Sequence, residues 1–111
     1  MTTPARRQSE TPLMHEIRAA LTATGHIALW RNNTGFDAER KVKYGLGLGG
    51  ADLVGILKPS GRFVGVEIKT ATGRTSPDQM AWASAVRAAG GLYILTRTPE
   101  DAIEQLTQAL Q

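Results

Sequence analysis

The sequence predicts a small α/β domain: a mixed β-sheet flanked by helices, in the order α-β-β-β-α-β-α. Three observations predict it. Two apolar, β-branched runs, Leu53-Val54-Gly55-Ile56-Leu57 and Phe63-Val64-Gly65-Val66-Glu67-Ile68-Lys69, flank a Lys58-Pro59-Ser60-Gly61-Arg62 turn and read as a hairpin. Thr11-Pro12, Ser76-Pro77 and Thr98-Pro99 each place a capping hydroxyl before a proline, the signature of a helix start. Strands and helices that alternate in this way imply helices packed on a sheet. At 111 residues the chain holds one domain with one modest core.

Each element follows from local chemistry. Residues 1–10 are polar and patternless, so a frayed, flexible end is expected, with a single domain over 11–111. After Thr11-Pro12, Leu13, Ile17 and Leu21 recur at helical spacing, and Gly25 ends the helix. Ile27-Ala28-Leu29-Trp30 is a short strand leading to Arg31-Asn32-Asn33. Residues 34–50 hold five glycines, many charges and little periodicity, and read as a long loop of the functional or mobile kind. The hairpin strands cover about 53–57 and 63–69. Ser76-Pro77-Asp78-Gln79 has capping-box spacing, and its helix runs through Met80, Trp82, Ala83 and Val86 to Gly90-Gly91. Its many alanines let it lie close to a sheet. Leu92-Tyr93-Ile94-Leu95 is a buried-type strand, and the last helix carries Ile103, Leu106 and Leu110 on one face.

Composition narrows the class. With 41% hydrophobic and 21% charged residues and no low-complexity tract, the chain is an ordinary globular one. The absence of cysteine excludes a disulfide framework and a cysteine-ligated zinc or iron–sulfur site, and fits a reducing, cytoplasmic setting. No apolar run is long enough to span a bilayer, and no apolar stretch follows Arg6-Arg7 to make an export signal. The net charge of +3 is unevenly placed. Residues 31–74 hold eight Lys/Arg against four Asp/Glu, two of those acids being Asp52 and Glu67. A basic stretch of this kind suits a polyanion such as nucleic acid, and equally a solvated basic surface.

Asp52 and Glu67 frame the hairpin. A turn centred near Ser60 sets position 53 opposite position 67, within one residue of register, so the two carboxylates meet at the open end. Side chains alternate along a strand, which puts Glu67 and Lys69 on one face. Adjacent carboxylates repel unless a cation lies between them or one stays protonated. Oxygen ligands without cysteine or paired histidine point to a hard ion, Mg²⁺ or Mn²⁺. Such an ion binds phosphate oxygens and activates water. Lys69 is placed to position the attacking water or to neutralise developing phosphate charge.

Asp52…Glu67-Ile68-Lys69 with Gln79 on the next helix resembles the PD-(D/E)xK nuclease superfamily. More narrowly it is similar to the VRR-NUC domain in the small free-standing form often carried by bacteriophages. Arg31-Asn32-Asn33-Thr34-Gly35, Gly47-Leu48-Gly49-Gly50-Ala51-Asp52-Leu53-Val54-Gly55, Gly61-Arg62, Thr70, Gly73-Arg74, Ser76 and Gly90-Gly91 support the resemblance, which covers roughly 12–105. Ala51 departs from it, standing where the superfamily motif has proline.

The resemblance implies a restriction-endonuclease-like sheet and metal-dependent hydrolysis of DNA. Asp52 and Glu67 become metal ligands, the Ile68 carbonyl a third oxygen, and Lys69 the catalytic lysine. Glu16 on the first helix matches a further acidic metal contact; the alternative is a solvent-facing helix glutamate. Gln79 matches a glutamine near the site, yet it also stands where a capping box needs it, and one side chain is not expected to serve both uses fully.

Arg31, Asn33, Arg40, Lys41, Lys43 and Arg74 lie in or beside loops around the catalytic strands and are expected to hold DNA phosphates without reading bases. Tyr44 either stacks on a base or packs locally. His15 and His26 lack partners at useful spacing. Gly45-Leu46-Gly47-Leu48-Gly49-Gly50 satisfies G-x-G-x-x-G, but a strand follows it where a dinucleotide site needs a helix, and no Gly-Lys-Ser/Thr makes it a P-loop. The expectation is a Mg²⁺-dependent homodimeric endonuclease selective for branched DNA such as four-way junctions. The dimer surface would use apolar residues of the first helix or of 42–48. A flap-, nick- or end-directed nuclease of the same fold, an RNA-directed one, and a DNA-binding module without catalysis are the alternatives.

Overall fold

The structure is a computed structural model that describes residues 10–33 and 35–111; Thr34 and residues 1–9, which include most of the expected flexible end, lie outside it. The order is α1 (Pro12–Ala23), β1 (Ile27–Arg31), β2 (Gly35–Asp37), β3 (Val42–Tyr44), β4 (Leu53–Leu57), β5 (Phe63–Ile68), α2 (Pro77–Ala88), β6 (Leu92–Thr96) and α3 (Pro99–Ala109). Four strands form one mixed sheet in the order β1-β4-β5-β6, antiparallel except for the parallel β5–β6 pair. With the β2–β3 ribbon set aside, the sequence of elements is α-β-β-β-α-β-α, as expected.

The helix starts obey their caps. The hydroxyls of Thr11, Ser76 and Thr98 accept hydrogen bonds from the N–H groups of Met14, Gln79 and Asp101, and each helix has proline in its first turn. Glu10, expected within the frayed end, is half-buried, and its carboxylate lies 3.7 Å from Arg18.

Alternation along the strands separates two apolar layers. On one face, Ile27, Leu29, Leu53, Leu57, Val64, Val66 and Ile94 pack with Met14, Ile17 and Leu21 of α1 and Ala102 and Leu106 of α3. On the other, Tyr93 and Ala51 pack with Ala83 and Val86 of α2, with Trp82 and Leu95 at the margin. The α3 stripe differs from expectation: Ala102 and Leu106 are buried, whereas Ile103 and Leu110 are exposed. Ile103 stands about 100° round the helix from Ala102, and Leu110 is the C-cap residue past the helix end.

The 34–50 segment is more ordered than a loop. The three-residue strands β2 and β3 pair antiparallel, with Asp37 opposite Val42. The Asp37 carboxylate accepts from the N–H groups of Glu39 and Arg40, and Lys41 takes a positive φ of 53° to close the turn. No helix among the described residues is long and apolar enough to cross a membrane.

Candidate metal centre

The β4–β5 register sets Leu53 opposite Val66. One step further, at the open end, Asp52 comes opposite Glu67. The Asp52 carboxylate is fixed there: its Oδ2 accepts from the Ile68 N–H at 2.8 Å. Glu67 is only 2% exposed, and its Oε2 is buried without a hydrogen-bond partner. Burial, then hydrogen bonding and charge repulsion from Asp52, push the Glu67 carboxyl up from 4.5 to about 8, against the pull of Lys69.

Lys69 follows β5, anchored by its N–H to the Thr96 carbonyl at 3.0 Å. Its ammonium donates to Gln79 Oε1 at 2.7 Å. The same oxygen accepts from the Ser76 N–H at 3.0 Å, and the Gln79 N–H donates to Ser76 Oγ at 3.2 Å. Gln79 is therefore both the capping-box residue and the partner of Lys69. The expected competition between these uses does not arise, because the two lone pairs of one carbonyl oxygen take one donor each.

A residue outside the sequence-predicted set aligns Asp52. Asn32 donates its backbone N–H to the Asp52 carbonyl at 2.9 Å and its side-chain amide to the Ala51 carbonyl at 3.0 Å. Its Oδ1 accepts from the Leu46 N–H at 3.2 Å, so one asparagine ties the glycine-rich loop to the start of β4. From the other side, Trp82 Nε1 donates to the Leu46 carbonyl at 2.8 Å. Asn32 falls in the Arg31-Asn32-Asn33 segment, but an asparagine after a strand carries no signal that its amide reaches across to residue 51.

The remaining expected residues divide. Glu16 does not join the pair: it is exposed on α1, about 100° of helical turn from the inward Ile17. Among the described residues, no third His, Asp or Glu completes a metal-ligating group. The N-terminal turn of α1 does face the site, since Thr11, Pro12, Leu13 and Met14 line an open cleft of about 670 Å³ with Asp52, Ile68 and Thr70. Arg31 is half-buried at the Asp52 end of the sheet, opposite Leu53. Asn33 is exposed just beyond it, and Arg74 is exposed in the connection to α2. Arg40 and Lys41 are exposed in the β2–β3 turn, Arg40 lying 3.8 Å from Asp37. Lys43 and Tyr44 are on β3, with side chains outside those described.

The donor set fits a hard divalent cation. Two carboxylates, Asp52 and Glu67, standing opposite one another at the strand end supply the one or two acidic ligands that Mg²⁺ takes alongside water and phosphate. Without a cation, the same pair holds a proton instead, as the raised Glu67 pKa requires. No known protein family and no curated protein matches this chain.

Proposed function

We propose that this chain is a divalent-cation-dependent nuclease that hydrolyses phosphodiester bonds in DNA, with preference for branched structures. The observation that carries the reading is the convergence of Asp52, Glu67 and a Gln79-held Lys69 at one strand end. The resemblance to VRR-NUC domains of the PD-(D/E)xK superfamily supports it, as does the basic balance of residues 31–74.

Asp52 and Glu67, with the Ile68 carbonyl, would hold Mg²⁺ or Mn²⁺. Once bound, the cation supplies Lewis-acid polarisation of the scissile phosphate and a lowered pKa for water. The protein's own groups do the rest. The Ile68 N–H fixes the Asp52 carboxylate, and burial keeps Glu67 from rotating freely into solvent. Lys69 has three N–H donors; Gln79 takes one and leaves two to orient the attacking water and a non-bridging phosphate oxygen. Arg31, Asn33 and Arg74 would hold flanking phosphates, a contact that positions the strand without reading sequence.

One domain carries one such centre, so cutting both strands of a junction takes two copies related by a two-fold axis. The apolar stripe of α1 is unavailable for that contact because Met14, Ile17 and Leu21 are buried in the core. Leu46 and Leu48, 50% and 72% exposed, remain.

The test is cleavage of labelled linear, nicked, flapped and four-way DNA by purified protein, with Mg²⁺ and with chelator. Cleavage of the branched substrates that is lost with chelator, and lost in Glu67→Ala and Lys69→Ala proteins that still bind DNA, is expected. Equal nicking by wild type and both variants would sink the proposal.

A further inference from the structure

Tyr93 is buried, and its hydroxyl has no hydrogen-bond partner among the described residues. Glu67 Oε2 is a second buried oxygen in the same condition. We propose that Tyr93 is a positioning residue, whose phenol donates to Glu67 Oε2 through one interior water and thereby fixes which edge of the carboxylate faces the cation. The inference rests on the metal-dependent reading above.

Topology brings the two groups together. In the parallel β5–β6 pair, Tyr93 lies opposite Gly65 and Leu95 opposite Glu67. Tyr93 and Glu67 therefore project from the same sheet face, one diagonal step apart, within reach of a long aromatic side chain. Gly65 puts no side chain between them. Trp82 roofs that glycine, its ring tilted against Tyr93 at a centroid distance of 6.1 Å. On the α2 side, the Arg87 guanidinium lies 5.2 Å from the centre of the Tyr93 ring and holds it in place.

The chemistry matches the placement. A phenol is a donor and a carboxyl oxygen an acceptor whether the carboxyl is ionised or holds its proton on the other oxygen, and buried polar atoms of both kinds are nearly always satisfied. No direct hydrogen bond joins the two atoms, and a single bridging water, which needs at least two polar partners, would satisfy both. Burial first, then the Glu67 charge, raises the Tyr93 phenol to about 12 against the pull of Arg87, and so keeps its proton in place. The donor is thus permanent at working pH. A fixed donor on one carboxylate edge leaves the opposite edge to the metal, the usual arrangement behind a ligating side chain.

The experiment compares wild type with Tyr93→Phe, which removes only the hydroxyl and keeps the ring packing. Mn²⁺ binding is measured by calorimetry on both proteins without DNA, after far-UV circular dichroism has established folding. An affinity about tenfold weaker in the variant is expected, the size of effect that outer-sphere partners of metal ligands show; equal affinity would overturn the proposal. A second measurement is independent of metal. The Tyr93 hydroxyl proton of the cation-free protein should exchange slowly enough for detection by NMR, and its resonance should move in Glu67→Gln. Absence of any Mn²⁺ binding in wild type would refute the metal-dependent reading, and the hydroxyl proton then decides the link between Tyr93 and Glu67. A resonance indifferent to Glu67→Gln would refute that link.

Discussion

Gln79 holds the Lys69 ammonium at 2.7 Å with the same oxygen that closes the cap of α2. The position of the helix start and the direction of the lysine are therefore one variable. Two substitutions separate the roles. Ser76→Ala deletes the hydroxyl acceptor for Gln79 N–H but leaves the Ser76 N–H and Lys69 contacts to Oε1 intact. It should cost about 1 kcal/mol of stability, with cleavage largely kept. Gln79→Ala should cost a similar amount and also free Lys69, lowering the cleavage rate about tenfold or more. Thermal melts and single-turnover kinetics on the two proteins check this.

Glu67 makes stability depend on pH with a definite sign. Its folded carboxyl lies at about 8, against 4.5 as its ordinary value. Between these values the folded state holds a proton that the unfolded state has released, so stability falls as pH rises from about 4.5 to 8 and then levels. The loss is on the order of 5 kcal/mol. Glu67→Gln should flatten the profile and stabilise the cation-free protein at pH 8. Mg²⁺ should do the same for wild type, with its affinity rising toward pH 8 as the competing proton leaves. Melts across pH 5 to 9, with and without Mg²⁺, test both.

The parts of this fold that were legible in the sequence are those governed by neighbours in the chain. Thr11-Pro12, Ser76-Pro77 and Thr98-Pro99 mark helix starts because a cap joins residues three apart. The facing of Asp52 and Glu67 was readable because a hairpin turn fixes register on both sides. What escaped depends on contacts across the fold. The β2–β3 ribbon has strands too short for alternation to show, and the Asp37 turn that closes it looks like any polar loop. Glu16 was placed by resemblance, but the inward face of α1 is set by Met14, Ile17 and Leu21, which leaves residue 16 outward. Asn32 acts through an amide that crosses to Ala51, a separation of nineteen residues with no pattern to announce it.

Asn32 has a testable part in holding Asp52. Its side chain satisfies the Ala51 carbonyl and the Leu46 N–H, and Ala51 is fully buried. Asn32→Ala leaves the Ala51 carbonyl without its amide partner, at a cost of about 1–3 kcal/mol. It also releases the residue immediately before Asp52. Weaker Mg²⁺ binding together with a lowered melting temperature is the expected outcome. A lowered melting temperature with unchanged Mg²⁺ affinity would confine Asn32 to a structural role.

Gly65 and Trp82 form a lock between the sheet and α2. A Cβ at position 65 would stand 2.7 Å from a Trp82 ring carbon and 3.3 Å from the Ala51 Cβ. Alanine there must push the indole outward, because Ala51 is itself fully buried and packed in the core under α2. The indole cannot move alone: its Nε1 holds the Leu46 carbonyl, and Asn32 holds the Leu46 N–H. Displacement therefore passes to the loop that leads into Asp52. Gly65→Ala should cost about 1–3 kcal/mol, the range for overpacking a filled site. Trp82→Ala removes the obstacle at its own large cost. In the double variant the clash is gone, so the combined destabilisation should be smaller than the two single losses added together, by at least about 0.5 kcal/mol. Denaturant titration of the four proteins measures that coupling. Strict additivity would show that the close approach at Gly65 does not set the position of α2.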